Sequence, residues 1–302
     1  MLPNKAEFLD VAVAVANGED AMFNKSYSNV NTGVAPPNPK DATNLTAMRN
    51  LTSVAAGLAY GGEFTSGLIT YTVDTVWPIC GETFSRTQTG GSQGTAFTTT
   101  RSWGLRQVHY FFNTSSISAT VTDAKLKFKQ NSYDTKTPTS GFNCILLKSD
   151  YDGTPGDWTT LVPPTGTTDN YNSFTGHTSG WDASDVTEYS LSYLLDETLV
   201  TSNPLINLQD DEISLNATAK SDIQANSAFA LSMIDHDVYY QDDYTAGISG
   251  NFSVPSSVTY QHLLYSYQID ATDSANRPYL DVTTGTTPAV PTENSIFFGC
   301  NF

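Results

Sequence analysis

Two neighbouring stretches within residues 101–130, RSWGLRQVHYFFNTSSISATVTDAKLKFKQ, leave this chain little choice of secondary structure. In the second, Ala124, Leu126 and Phe128 alternate with Lys125, Lys127 and Lys129. Successive side chains of an extended strand point to opposite sides, so the pattern specifies a strand with one apolar and one cationic face. The first stretch sets Val108, Tyr110 and Phe112 against Gln107, His109 and Asn113, and only Phe111 breaks the alternation. A polar turn joins the two. Together they predict a wall of an antiparallel sandwich, buried on one face and wet on the other.

The same pattern recurs along residues 67–285. Segments 68–73, 76–80, 142–148, 213–217, 229–234, 263–269 and 279–283 are short, rich in β-formers and bounded by Gly, Pro, Asn, Asp or Ser. This spacing predicts an all-β fold, an antiparallel jelly-roll sandwich. One helical interruption is predicted at residues 185–195 (DVTEYSLSYLL), with Val186, Tyr189 and Tyr193 near one face.

Residues 1–66 differ in character. An apolar run at residues 6–15 suits a short helix or a strand, its valines leaving both open. VAPPNPKD then interrupts regular structure. A helix is predicted from residue 41 to about residue 60, with Asp41 or Thr43 as N-cap and Gly61-Gly62 as its end. Its apolar stripe holds Leu45, Met48, Leu51, Val54, Ala55 and Leu58. Such a stripe needs a covering surface, either its own domain or a partner. The expected division is an N-terminal arm for attachment or oligomerisation (1–66), a jelly roll (67–285), and a Pro/Thr linker with an aromatic tail (286–302). Leu45, Met48, Leu51, Leu58, Phe297 and Phe298 form the candidate assembly interface.

Charge narrows the partners. With 14 Lys and Arg against 31 Asp and Glu, a formal charge of −17, the chain would repel a phosphate backbone, so nucleic acid is not an expected partner. No apolar run of about eighteen residues crosses a bilayer, and the first twenty residues lack the basic start and long apolar core of an export signal. Cys80, Cys144 and Cys300 are widely spaced and lack metal-binding spacing, so free thiols are expected.

The chemical candidates are few. Asp150, Asp152 and Asp157 in SDYDGTPGDW are alternating acids among Gly turns and could offer oxygens to a structural Ca²⁺; the terminal bidentate Glu of an EF-hand loop is missing, which leaves a generic acidic turn as the simpler reading. No other cofactor is implied. IDHDVYYQDDY is the densest polar cluster, and Asp235 and Asp237 beside Tyr239, Tyr240 and Tyr244 make a candidate sugar-stacking platform or protein interface, with a solvated acidic loop as the alternative. His109 has no triad partners nearby and reads as a surface histidine. With no GxSxG, HExxH or P-loop pattern, no catalytic set is defined and no enzymatic activity is expected.

Several of these pieces resemble one family. Arg106, the Asn113-Thr114-Ser115-Ser116-Ile117 segment and Ala124-x-Leu126-x-Phe128 resemble the opening of the DNRLRE-type jelly-roll domain, with Asn113 where that family has Asp. Trp181 with Asp185-Val186-Thr187-Glu188 looks like its helix start, and Arg277-Pro278-Tyr279-Leu280-Asp281-Val282 like its closing strand. Such domains are similar to carbohydrate-binding modules and occur on secreted, cell-surface and phage structural proteins. The resemblance, taken with the composition, implies a structural virion protein: a head fibre, capsid decoration or tail-associated protein displayed on the particle. It would be made in the host cytoplasm, contact other virion proteins and form a homo-oligomer, a trimer first. A carbohydrate-binding adhesin that recognises a surface glycan is the alternative.

Overall fold

A computed structural model describes residues 20–49, 63–66, 69–74, 79–91, 96–129, 143–149, 186–194, 210–246, 258–265 and 277–285. Strands dominate them. They are β1 (Ala21–Gly33), β2 (Glu63–Ser66), β3 (Ile69–Asp74), β4 (Ile79–Thr89), β5 (Thr98–Asn113) and β6 (Thr120–Lys129), followed by β7 (Asn143–Lys148), β8 (Tyr193–Leu194), β9 (Asp210–Ser214), β10 (Ala228–Asp235), β11 (Val258–Tyr265) and β12 (Tyr279–Gly285). Helices α1 (Ala42–Arg49) and α2 (Ala217–Ala225) and a π-helical turn at His236–Tyr240 complete the described elements.

The strands form two antiparallel sheets, one of nine strands and one of three in the order β12-β6-β9. The architecture is an all-β sandwich. Its spine is β5, a strand of 16 residues. β1 pairs along one side of it, from Ala21 opposite Phe111 to Gly33 opposite Thr99. The other side is shared: β4 takes residues 98–106 and β10 takes residues 108–113. Gly104 sits where a side chain has no room, because a Cβ there would lie 2.8 Å from Thr83 Oγ1 and 3.2 Å from the Tyr27 carbonyl oxygen.

Between the sheets Val108, Tyr110 and Phe112 meet Leu126 and Phe128 of β6 and Ile213 of β9, while Ala219 and Ile223 of α2 enter the same core. The alternation in β6 therefore holds as expected. Leu126 and Phe128 are buried, and Lys125 and Lys127 lie outward in ion pairs with Glu212 and Asp281.

The expectation for β5 needs correction, since it has no wet face. Gln107 and His109 are as buried as Val108, and so are Trp103, Leu105 and Phe111 on their side. A second apolar layer covers that side. α1 lies over β1, where Asn29 Nδ2 donates to Asn44 Oδ1 at 3.0 Å, and Tyr239 of the π-helical turn stacks on Tyr27 with centroids 6.4 Å apart. Phe111 breaks the alternation because both faces of this strand are interior.

Two helix expectations also change. Residues 186–194 are not helical: Tyr189 N donates to Leu146 O, Lys148 N donates to Thr187 O, and Glu188 and β8 lie along β7. The open edge of β7 offers these backbone groups better partners than a Ser- and Tyr-rich helix would. Conversely, α2 arises just after β9, where Asn216 caps it by accepting from Ala219 N at 3.0 Å. The segment ATAKSDIQA carries good helix formers behind that cap, a signal overlooked next to the strand at 213–217.

Candidate functional site

The polar cluster at residues 235–244 is folded inward. Asp235 caps the π-helical turn, accepting from Val238 N at 2.7 Å. Its burial and the negative charge of Glu82 push its carboxyl up from an ordinary 3.8 to about 7. Asp237 accepts from Asn143 Nδ2 at 3.0 Å and contacts His236 Nδ1 at 2.8 Å. Tyr239 is buried against Tyr27, and Tyr240 is buried with its hydroxyl donating to Glu188. The proposed aromatic platform is thereby corrected: a ring enclosed in protein offers no face to a sugar. Tyr244 alone of the three is exposed.

Next to this turn lies a buried ionic cluster. Lys40, at the end of the proline-rich segment, is paired with Glu82 of β4 and donates to the Ala246 carbonyl at 2.7 Å. Glu82 is completely buried and also accepts from Trp103 Nε1 at 2.7 Å. Lys40 sits over the Trp103 ring, 5.8 Å from its centroid. Arg49, the last residue of α1, pairs with Asp242. These contacts pin α1, β4, β5 and the chain after the π-helical turn together.

His109 is likewise interior rather than a surface group, a further correction. Its Nδ1 lies 2.6 Å from Ser232 Oγ and 3.2 Å from Ser149 Oγ. Full burial denies substrate any approach to this histidine and its serines. Cys80 and Cys144 are buried free thiols, as expected, and burial raises the Cys80 thiol well above its ordinary value. Among the described residues, no three His, Cys, Asp or Glu side chains converge on a point that could hold a metal ion.

The candidate assembly residues divide in two. Leu45 and Met48 are completely buried in this chain, so that part of the stripe is covered by its own domain and is not available to a partner. Leu51, Leu58, Phe297 and Phe298, and the acidic turn of Asp150, Asp152 and Asp157, lie outside the described residues, as does Cys300.

Among the described residues, the outer face of the small sheet is open to solvent. Register places Tyr279 opposite Lys127, and Lys127 opposite Glu212, so the three side chains share that face. Arg277 precedes Tyr279 by two residues and Lys129 follows Lys127 by two. These groups line a shallow cavity of about 310 Å³, with Phe128 and Asp211 at its base. Lys127 donates to Asp281 at 2.7 Å, and Lys125 donates to Glu212 at 2.6 Å. The bond from Lys125 holds the Glu212 carboxyl below its ordinary range. Tyr279 is 49% exposed, large for an aromatic ring on a packed sheet. Sequence reasoning found the outward lysines but gave no weight to Tyr279 and Arg277, which only strand pairing brings beside them.

No protein-family model matches this chain, and comparison with curated proteins finds no relative.

Proposed function

We propose that this chain is a structural protein displayed on a phage particle, as a head fibre, capsid decoration or tail-associated component, and that it acts by binding and not by catalysis. The observation that carries this reading is how its buried ionisable groups are used. Lys40, Glu82, Arg49 and Asp235 are tied to backbone, indole and opposite charges that lock neighbouring elements together. Buried polar groups bonded across neighbouring elements rigidify a fold, which suits a particle component that must persist outside a cell. The acidic surface and the strand-dominated sandwich support the same reading.

The DNRLRE-type resemblance belongs to this proposal. Its A-x-L-x-F strand is β6, whose partner β12 carries the RPYLDV match. Asn113 stands where that family has Asp and closes the turn as an Asx residue, its Oδ1 accepting from Ser115 N at 2.9 Å. The reading includes a homo-oligomer, a trimer first, in contact with other particle proteins. Immunogold labelling with antiserum against the purified protein, on particles banded from lysates of the source organism, tests it. Gold on intact particles is expected, and label confined to cell envelopes would favour the adhesin instead.

A further inference from the structure

We infer that two copies of this chain meet face to face through the tip of the large sheet, where β1, β4 and β5 run past their outer neighbours. This names a contact for the homo-oligomer of the proposed role; it rests on that oligomer and not on the particle.

Register builds the tip. β3 pairs with β1 only as far as Asn29, and β11 pairs with β4 only as far as Arg86. Among the described strands, β1, β5 and β4 therefore continue as a three-stranded tongue. On one face of it Val30 lies opposite Ser102, and Ser102 opposite Ser85. Two residues further on, Thr32 lies opposite Thr100, and Thr100 opposite Thr87. The other face is interior, with Phe84, Arg86, Thr99 and Trp103 buried. By contrast, Val30, Thr32 and Thr87 are exposed. Of the six large apolar side chains that stand exposed among the described residues, three, Val30, Val34 and Phe97, are at this tip. Exposed apolar groups gathered in one place mark a contact surface.

Charge then selects the occupant. The chain carries −17, so two copies repel one another over most of their surfaces. Val30, Thr32, Ser85, Thr87, Thr100 and Ser102 bear no charge, so copies can close here without burying an unpaired carboxylate. The hydroxyls supply complementarity. A Ser or Thr hydroxyl both donates and accepts, as Thr32 Oγ1 and Thr100 Oγ1 do at 3.2 Å and Ser85 Oγ and Ser102 Oγ at 2.5 Å within one copy. A face of such groups is complementary to itself, which is what a contact between identical surfaces requires. A charged partner would find no opposite charge on it, and a wholly apolar partner would bury its hydroxyls without new bonds. The face is small beside a standard interface, so the pairing is weak.

Sedimentation velocity of the full chain across a concentration series tests the contact. Average mass should rise with concentration, and rise further in high salt, which screens the acidic surfaces from one another. Thr100, on the central strand, is the position to charge. Thr100→Lys and Thr100→Glu should each weaken association by at least about tenfold, because like charges then face each other. An equal mixture of the two should associate again, a recovery that a misfolded variant cannot give. Circular dichroism checks that both fold, and Thr87→Glu, at an exposed position, reads the same loss should they not. A parent chain that stays monomeric at every concentration and salt overturns the contact and the homo-oligomer together. A parent that associates no better than the folded Thr100 and Thr87 variants, or whose association weakens with salt, overturns this face alone and leaves the homo-oligomer standing on another surface.

Discussion

Single side chains in this protein carry unequal electrostatic weight, and Asp235 shows the sign most clearly. Its folded value of about 7 lies above the ordinary 3.8 because burial and Glu82 disfavour its charge. Below about pH 4 it is protonated in both folded and unfolded chains and costs nothing. As pH rises toward 7 the unfolded chain releases this proton first, so its contribution to stability falls, by up to about 1.4 kcal/mol per pH unit. Asp235→Asn keeps an oxygen for Val238 N and removes the titration. Urea unfolding between pH 4 and 8 should show a shallower decline for that variant than for the parent. Lys40 answers to a different rule. Lys40→Met leaves the buried Glu82 carboxylate without its cationic partner, and should cost about 3 to 5 kcal/mol in the same measurement at pH 7. None of this was legible in the sequence, because Lys40, Glu82 and Trp103 are far apart in the chain and lie in ordinary surroundings.

Individual elements were legible in proportion to how one-sided they are. β6 has one interior and one exterior face, so period-two alternation specified its register. Phe128→Ala should therefore cost about 3 to 5 kcal/mol through lost burial and a cavity, whereas Lys127→Ala, at an outward ion pair, should stay within about 1 kcal/mol. Comparable losses in a denaturation series would mean that β6 is slipped by one residue. β5 is interior on both sides, so Gln107 and His109 occupy positions that alternation assigns to solvent. Segment 186–194 has local helical spacing, but the edge of β7 supplies its hydrogen bonds instead. Of the tyrosines to which the sequence pointed, Tyr239 and Tyr240 are enclosed by folding and Tyr244 is exposed. The exposed ring, Tyr279, lay inside a segment already explained as a strand.

At the scale of the whole molecule, pairing order departs from chain order. An arm ending at residue 66 suggests itself from the prolines and the change in composition, yet β1 lies between β5 and β3 in the large sheet. Removing residues 1–33 would leave one side of β5 unpaired along the length of a 13-residue partner. Backbone groups so uncovered are costly. The shortened chain should lose cooperative thermal unfolding by circular dichroism and elute as aggregate in gel filtration. Retention of a sharp transition at the parent's midpoint would show that β1 is dispensable. Among the described residues, no helix is long and apolar enough to cross a membrane.

The placement of β1 also has a meaning in time. A ribosome delivers Ala21–Gly33 well before the strand that β1 pairs with along its full length, which begins only at Thr98. Until that strand emerges, β1 must wait without its main partner, and pairing across such sequence distance is slow. Its composition tolerates the wait: more than half of the 13 residues in AMFNKSYSNVNTG are Asn, Ser, Thr or Lys, and they interrupt its apolar residues. Part of β1 can pair with β3 (Ile69–Asp74) first, and the large sheet would close around β1 once β5 is complete.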